Sequence, residues 1–330
     1  MPERHDRDQG LRLILVTGSG PEFAQPVLEL AGRAGHRIVG MVEPRDPLAA
    51  SPRPLRWAEW IYHRGLKNRT PPYLRPLARR YGIPYRQLAG LSDEELKTWL
   101  RQARADLLIL YNAPIVRKEL YSLARFGGIN LHPSLLPRYR GARPVLWMHR
   151  NFDLEGGVTL HYIDERPDAG DIIAQEPFRI VPGMTELDVE REAIYRRGLP
   201  LLTRALDGLS NGGCPALPQE KESPTVLARR VSQETYERMI EWESWDVERV
   251  WHFLRCTDRW LDFLRREGIS TRWQEFSIGP FDRHPPEGTP PGTLVRNGGL
   301  HFACRNGRVW VQRRLRPKRL VREILQAISG

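Results

Sequence analysis

Cysteine is scarce in this chain. Its 330 residues hold three, Cys214, Cys256 and Cys304, far apart, with no Cys-x-x-Cys pair and no zinc-ligand spacing. That excludes a disulfide framework and makes a reducing cytoplasm the expected setting. Long apolar runs are also missing. None approaches the roughly 20 residues that span a bilayer, so no membrane segment is expected. The first ten residues, MPERHDRDQG, lack the apolar stretch of a secretory signal and read as a short disordered tail. No metal-ligand cluster and no internal repeat is visible.

Cationic charge, by contrast, is abundant: the formal net charge is +11. It favours anionic partners, among them tRNA phosphates, a nucleotide-sugar diphosphate or a folate glutamate tail. An inert Arg-rich surface explains the same number, and charge alone does not choose.

The apolar run Leu11 to Thr17 ends in Gly18-Ser19-Gly20, followed by helical periodicity to Arg33 and a second strand, His36 to Val42. Strand, glycine turn, helix and strand in this order predict a parallel, Rossmann-like α/β start. The glycines do not form Gly-x-Gly-x-x-Gly, so they are read as a tight turn for helix packing rather than as a dinucleotide site. Residues 43–76 are Pro-rich and basic, with Trp57, Trp60, Tyr62 and Tyr73 interleaved. Such a stretch can stack bases, or it is a surface excursion whose aromatics pack on the domain.

Further strands are expected over 105–112, 156–163 and 171–180, and helices over 91–103, 116–124, 141–150 and 186–206. A capping pattern at Ser92 and Glu95 opens the first of these helices. Residues 210–225, rich in Gly, Pro, Ser and Asn, read as a linker between domains at 1–209 and 226–330. Beyond it, an amphipathic helix over 250–266 and short strands with Asn-Gly and Gly-Gly turns over 290–315 fit a small barrel.

The chemistry sits in two segments, GINLHPSLLPRYRGARP (Gly128 to Pro144) and GVTLHYIDERPDAGDII (Gly157 to Ile173). The Asn130-Leu131-His132 alternation fits a strand that sends Asn130 and His132 to one side. Asp168 follows in a turn. An amide and an imidazole can steady a tetrahedral oxyanion, and a carboxylate can orient the imidazole and help remove an amine proton. Alone, a His in an apolar strand is usually a core residue and Asp-Ala-Gly usually a turn.

Together, Asn130-Leu131-His132, Ser134-Leu135-Leu136-Pro137 and Asp168-Ala169-Gly170 resemble the 10-formyltetrahydrofolate-dependent formyltransferases in order and spacing. The resemblance implies 10-formyltetrahydrofolate as donor, no metal, and Asn130, His132 and Asp168 as the catalytic set, with Asp168 orienting a protonated His132. It places the folate pocket on Pro114, Ile115 and Val116, on Ser134, Leu135, Leu136 and Pro137, and on Asp164, Glu165, Arg166 and Pro167 up to Asp168. It also implies an OB-like carboxyl-terminal domain, with Ile240 to Trp242, the Arg255–Trp260 stretch and Pro291-Gly292-Thr293 as points of contact.

Arg138, Arg140 and Arg143 are candidates for acceptor phosphates, or else form a solvated basic turn. Trp147 and the Asp-Ala-Gly loop look more like family members acting on a nucleotide-linked amino sugar. The basic excursion looks more like those acting on methionyl-tRNA. The expected acceptor is therefore an anionic amine, a nucleotide-amino-sugar first and methionyl-tRNA second. A hydrolase releasing formate from the same donor generally carries an amino-terminal regulatory domain, whereas this sequence opens on its first strand. A catalytically silent binding module does not require the intact Asn130, His132 and Asp168 set.

Overall fold

The computed structural model describes residues 10–44, 74–88, 93–269 and 274–315. The amino-terminal tail, most of the basic excursion, the Ser92 cap and the cations from Arg316 onward lie outside the described residues. The chain divides into two compact units. The first takes Met1–Ala142, Gly157–Pro177 and Arg191–Leu227; the second takes Arg143–Gly156, Phe178–Glu190 and Ala228–Gly330. A single cut in the 210–225 stretch assigns 143–156 and 178–190 to the first domain, whereas in the structure they group with the second unit.

The first unit is built on β1 (Arg12–Thr17), β2 (Arg37–Glu43), β3 (Tyr85–Gln87), β4 (Leu107–Tyr111), β5 (Gly128–His132), β6 (Glu155–Tyr162) and β7 (Ile172–Arg179), in the order β3-β2-β1-β4-β5-β6-β7. Strands β1 to β5 pair in parallel and β6 runs antiparallel to β5. This is a Rossmann-like sheet with an antiparallel extension, the α/β class read from the sequence. The parallel strands are apolar on both faces, as helices packing on both sides require. Ile14, Val16, Leu108 and Leu110 meet Leu96, Trp99 and Leu100 of the helix Asp93–Ala103. Leu13, Leu15, Leu107 and Ile109, of the other parity, are also fully or nearly fully buried. Phe23 of α1 (Pro21–Arg33) reaches Tyr111 with ring centroids 4.8 Å apart, which puts α1 on that opposite face.

The expected helix over 186–206 is three pieces: an α-turn at Glu186–Glu190, a π-helical stretch at Arg191–Gly198 and an α-helix at Leu199–Ser210. The expected helix over 250–266 is also interrupted. Val247–Cys256 ends at an extended Thr257, and Leu261–Arg266 resumes after Trp260, which is buried. Arg259 holds the break by donating to the carbonyls of Val231 and Ser232.

In the second unit β8 (Gln274–Asp282), β9 (Leu294–Val295), β10 (His301–Cys304) and β11 (Gly307–Leu315) form an antiparallel sheet ordered β8-β11-β10-β9. Among the described residues this sheet is open, so the expected barrel is not closed. Its core gathers Phe253, Tyr236, Phe302, Val309 and Trp245. Within the same unit His149 stacks on His252 at 4.2 Å, and burial lowers the pKa of both.

Candidate active site

The β5–β6 register builds the site. Asn130 lies opposite His161 and His132 opposite Thr159, so all four side chains share one face. Through β4 it is the face that carries Leu108 and Leu110. Thr159 is fully buried and shapes the turn after β5. Its hydroxyl donates to the Ser134 carbonyl at 2.7 Å and accepts from Leu136 N at 3.0 Å and from Gln175 Nε2 at 2.8 Å. Ser134 Oγ donates to the Arg138 carbonyl at 2.8 Å, closing the turn. Tyr139 then adopts a left-handed φ of 56°, and its carbonyl meets His132 Nε2 at 3.0 Å.

Asp168 arrives from the β6–β7 connection, itself at a left-handed φ of 53°. Its Oδ2 accepts from Gly141 N at 2.8 Å. Its Oδ1 lies 3.6 Å from His132 Nδ1 and 3.8 Å from His161 Nε2. Both separations exceed hydrogen-bond length, so neither imidazole makes a short hydrogen bond to Oδ1. His132 is thus anchored through Nε2 by the Tyr139 carbonyl, and Asp168 faces its other nitrogen. The Tyr139 carbonyl is therefore a second contact to the ring beside the Asp168 carboxylate.

His161 is the residue the sequence reading missed. Its Nδ1–H donates to the Tyr162 carbonyl at 2.7 Å, which leaves Nε2 as an acceptor. Asn130 Nδ2 sits 3.1 Å from that nitrogen, so the amide donates one N–H to His161 and keeps the other. Burial drives the His161 pKa down to about 4, with Asp168 pulling the other way and His132 adding to the depression. His161 is therefore neutral near pH 7 and can hold Asn130 as an acceptor. The signal was in Thr-Leu-His, whose alternation puts Thr159 and His161 on one face; what it lacked was the partner strand.

The three segments expected around the folate behave differently. Ile115 is 70 % exposed and Pro114 is exposed, forming an apolar shelf, while Val116 packs partly into the core beneath. Lys118 and Glu165 form an ion pair at 2.9 Å that brings this segment to the 164–168 loop. Asp164, Glu165, Arg166 and Pro167 are exposed. Leu136 is buried, and both its backbone groups are used internally, N–H by Thr159 and carbonyl by Gln175. A side chain at Gly157 would collide with Leu135, so Leu135 is packed inward as well. Ser134 to Leu136 therefore form a scaffold.

Arg140 and Arg143 do not fit the expectation that they meet acceptor phosphates. Arg140 is buried and donates to Gln219 Oε1 and to the carbonyls of Glu220 and Lys221. Arg143 lies in the second unit and pairs with Glu186 at 2.9 Å. Arg138 stacks over Tyr139 at 5.7 Å.

Residues 60–198 match the family model described as formyl transferase. The chain is 32 % identical over 251 residues to a methionyl-tRNA formyltransferase of Moorella thermoacetica, covering 76 % of this chain and 74 % of that one. The chain belongs to the formyltransferase family. This formyltransferase also shares its fold with WlaRD, a sugar 3N-formyltransferase, at a TM-score of 0.58 and 15 % identity over 92 % of this chain and 97 % of that one. The fold is also that of HypX from Aquifex aeolicus, at a TM-score of 0.55 and 16 % identity; the match covers 93 % of this chain but 44 % of HypX. Among the described residues no helix is long and apolar enough to cross a membrane.

Proposed function

We propose that this formyltransferase moves the formyl group of 10-formyltetrahydrofolate to the α-amino group of methionyl-tRNA. One observation carries the acceptor: the similarity to a methionyl-tRNA formyltransferase extends over about three quarters of both chains. Another relative of that name, from Symbiobacterium thermophilum, is 30 % identical over 91 % of this chain. The residues around the site lean towards a nucleotide-linked amino sugar, but they are few, and the chain-wide likeness outweighs them.

The donor set suits a folate carrying an activated formyl carbon. Asn130 keeps one amide N–H for the formyl oxygen, where negative charge develops, because the other is committed to His161. His132 is held at Nε2 by the Tyr139 carbonyl and presents Nδ1 to the Asp168 carboxylate, so the ring is fixed on the same face as Asn130. Asp168 Oδ1 accepts the proton that the attacking amine sheds as its nitrogen bonds the formyl carbon. Asp168 passes that proton on to the folate nitrogen as that nitrogen's bond to the formyl carbon breaks, which restores the carboxylate. WlaRD was crystallised with 5-N-formyl-THF and HypX with tetrahydrofolic acid, which supports a folate at the matching place. The exposed shelf of Pro114 and Ile115 offers the pterin an apolar rest.

The test is an acceptor panel with 10-formyltetrahydrofolate: methionine-charged initiator tRNA against several nucleotide-linked amino sugars, read by mass spectrometry. Formyl-methionine on the tRNA is the expected product. Formylation of a sugar amine with the tRNA left inert would overturn the assignment.

A further inference from the structure

Residues 210–225 read as a linker, yet the structure lays this stretch onto the first unit as a strap. Leu217 and Ile172 exchange backbone hydrogen bonds of 2.8 Å each way. Tyr162 Oη donates to the Cys214 carbonyl at 3.2 Å, and Tyr139 N donates to Thr225 Oγ1 at 2.6 Å. At the centre lies Gln219. Its Nε2 donates to the Asp168 carbonyl at 3.1 Å and to the Gly170 carbonyl at 2.5 Å. Its Oε1 accepts from Nε and Nη2 of Arg140, and Arg140 also binds the carbonyls of Glu220 and Lys221.

We infer that Gln219, backed by Arg140, is a positioning residue that fixes the Asp168 carboxylate against His132 and His161. The loop needs such a fixture. Asp168 holds a left-handed φ of 53°, a conformation that L-residues adopt at a cost. Its Oδ1 makes no short hydrogen bond to either imidazole, so neither ring locks it. Gln219 grips the loop on both sides of Ala169. Arg140 lies between Tyr139, whose carbonyl orients His132, and Gly141, whose N–H binds Asp168. One buried guanidinium and one amide therefore tie the loop of His132's partner to the loop of the carboxylate, through a segment the chemistry does not otherwise use.

This inference rests on the reading of Asp168 as the proton acceptor, and its test separates the two. Gln219→Glu keeps an oxygen for Arg140 but removes both N–H donors and sets a carboxylate against two carbonyls. Gln219→Ala removes both halves of the clamp. Each is compared with Asp168→Asn for kcat, donor KM and thermal midpoint, with methionyl-tRNA as acceptor. Displacing a reacting group by about 1 Å costs on the order of a hundredfold, so Gln219→Glu is expected to lower kcat by roughly ten- to a hundredfold. Donor KM and thermal midpoint should stay near the parent's, a split that a merely structural role would not give. Turnover near the parent level in Gln219→Glu, with Asp168→Asn inactive, overturns the positioning role alone. So does a kcat loss that appears only with a raised donor KM and a lowered midpoint. Near-parent turnover in Asp168→Asn removes the underlying reading, whatever Gln219 does.

Discussion

Replacing Asp168 by Asn isolates one charge. The amide oxygen of Asn can still accept from Gly141 N, which now meets Oδ2 at 2.8 Å, so the loop keeps its anchor. The amide nitrogen then faces His132 Nδ1 and His161 Nε2 where Oδ1 stood 3.6 and 3.8 Å away. An Asn amide cannot accept the proton that the attacking amine sheds, and loss of a positioned proton acceptor typically costs about a hundredfold or more in rate, roughly 3 kcal/mol of barrier or above. The variant should therefore lose about two to three decades of kcat. Single-turnover formation of formyl-methionine measures it directly, and a thermal scan should show the fold intact. A variant that keeps more than about a tenth of parental kcat would refute the role of Asp168 as proton acceptor, since the carboxylate would then supply under about 1.4 kcal/mol.

Burial lowers the pKa of His36, His149, His161 and His252, the third to about 4 and the last to about 3, so the folded state binds fewer protons than the unfolded chain. Their stability contribution is complete above the ordinary value of 6.5 and is lost as pH falls from there towards 3–4; a thermal midpoint that does not drop across this window would contradict it. Gly170→Ala would bring a Cβ within 2.0 Å of the Tyr162 carbonyl oxygen, so it should destabilise by about 1–3 kcal/mol and lower kcat through the Asp168 loop, and denaturant unfolding beside a rate assay reads both. Phe302→Ala empties a fully buried position in the second unit and should cost about 3–5 kcal/mol in denaturant unfolding; less than 1 kcal/mol would mean that core is not packed as described. With methionyl-tRNA as acceptor, KM should rise steeply with salt, by decades between low and moderate ionic strength, whereas a shallow slope would favour an acceptor with a single diphosphate.

Much of the first unit could be read from local pattern because parallel strands announce themselves as short apolar runs between turns. β1, β2, β4 and β5 fall within one or two residues of their expected spans. Asn130 and His132 share a face because alternation is a property of one strand. His161 escaped because its role depends on which strand lies opposite, and pairing is a long-range fact. The helix over 250–266 was read through its break because amphipathic periodicity continues across Thr257, while the interruption is set by the burial of Trp260 and the bonds of Arg259. Arg140 looked like a surface cation because charge in an Arg-Tyr-Arg-Gly turn is usually solvated; a glutamine 79 positions away in sequence covers it.

The strap also bears on how this protein can be cut and recombined. The three chain stretches of the second unit interleave with those of the first, so no single excision point frees either one whole. A chimera joined at residue 210, where composition changes, would import a foreign Gln219 and Thr225 into the neighbourhood of Asp168 and Tyr139. A junction placed after Leu227 would carry the native strap along with its catalytic loops. Crossovers within the strap should therefore be selected against, and a junction after Leu227 still requires the incoming 228–330 segment to pack with the native 143–156 and 178–190.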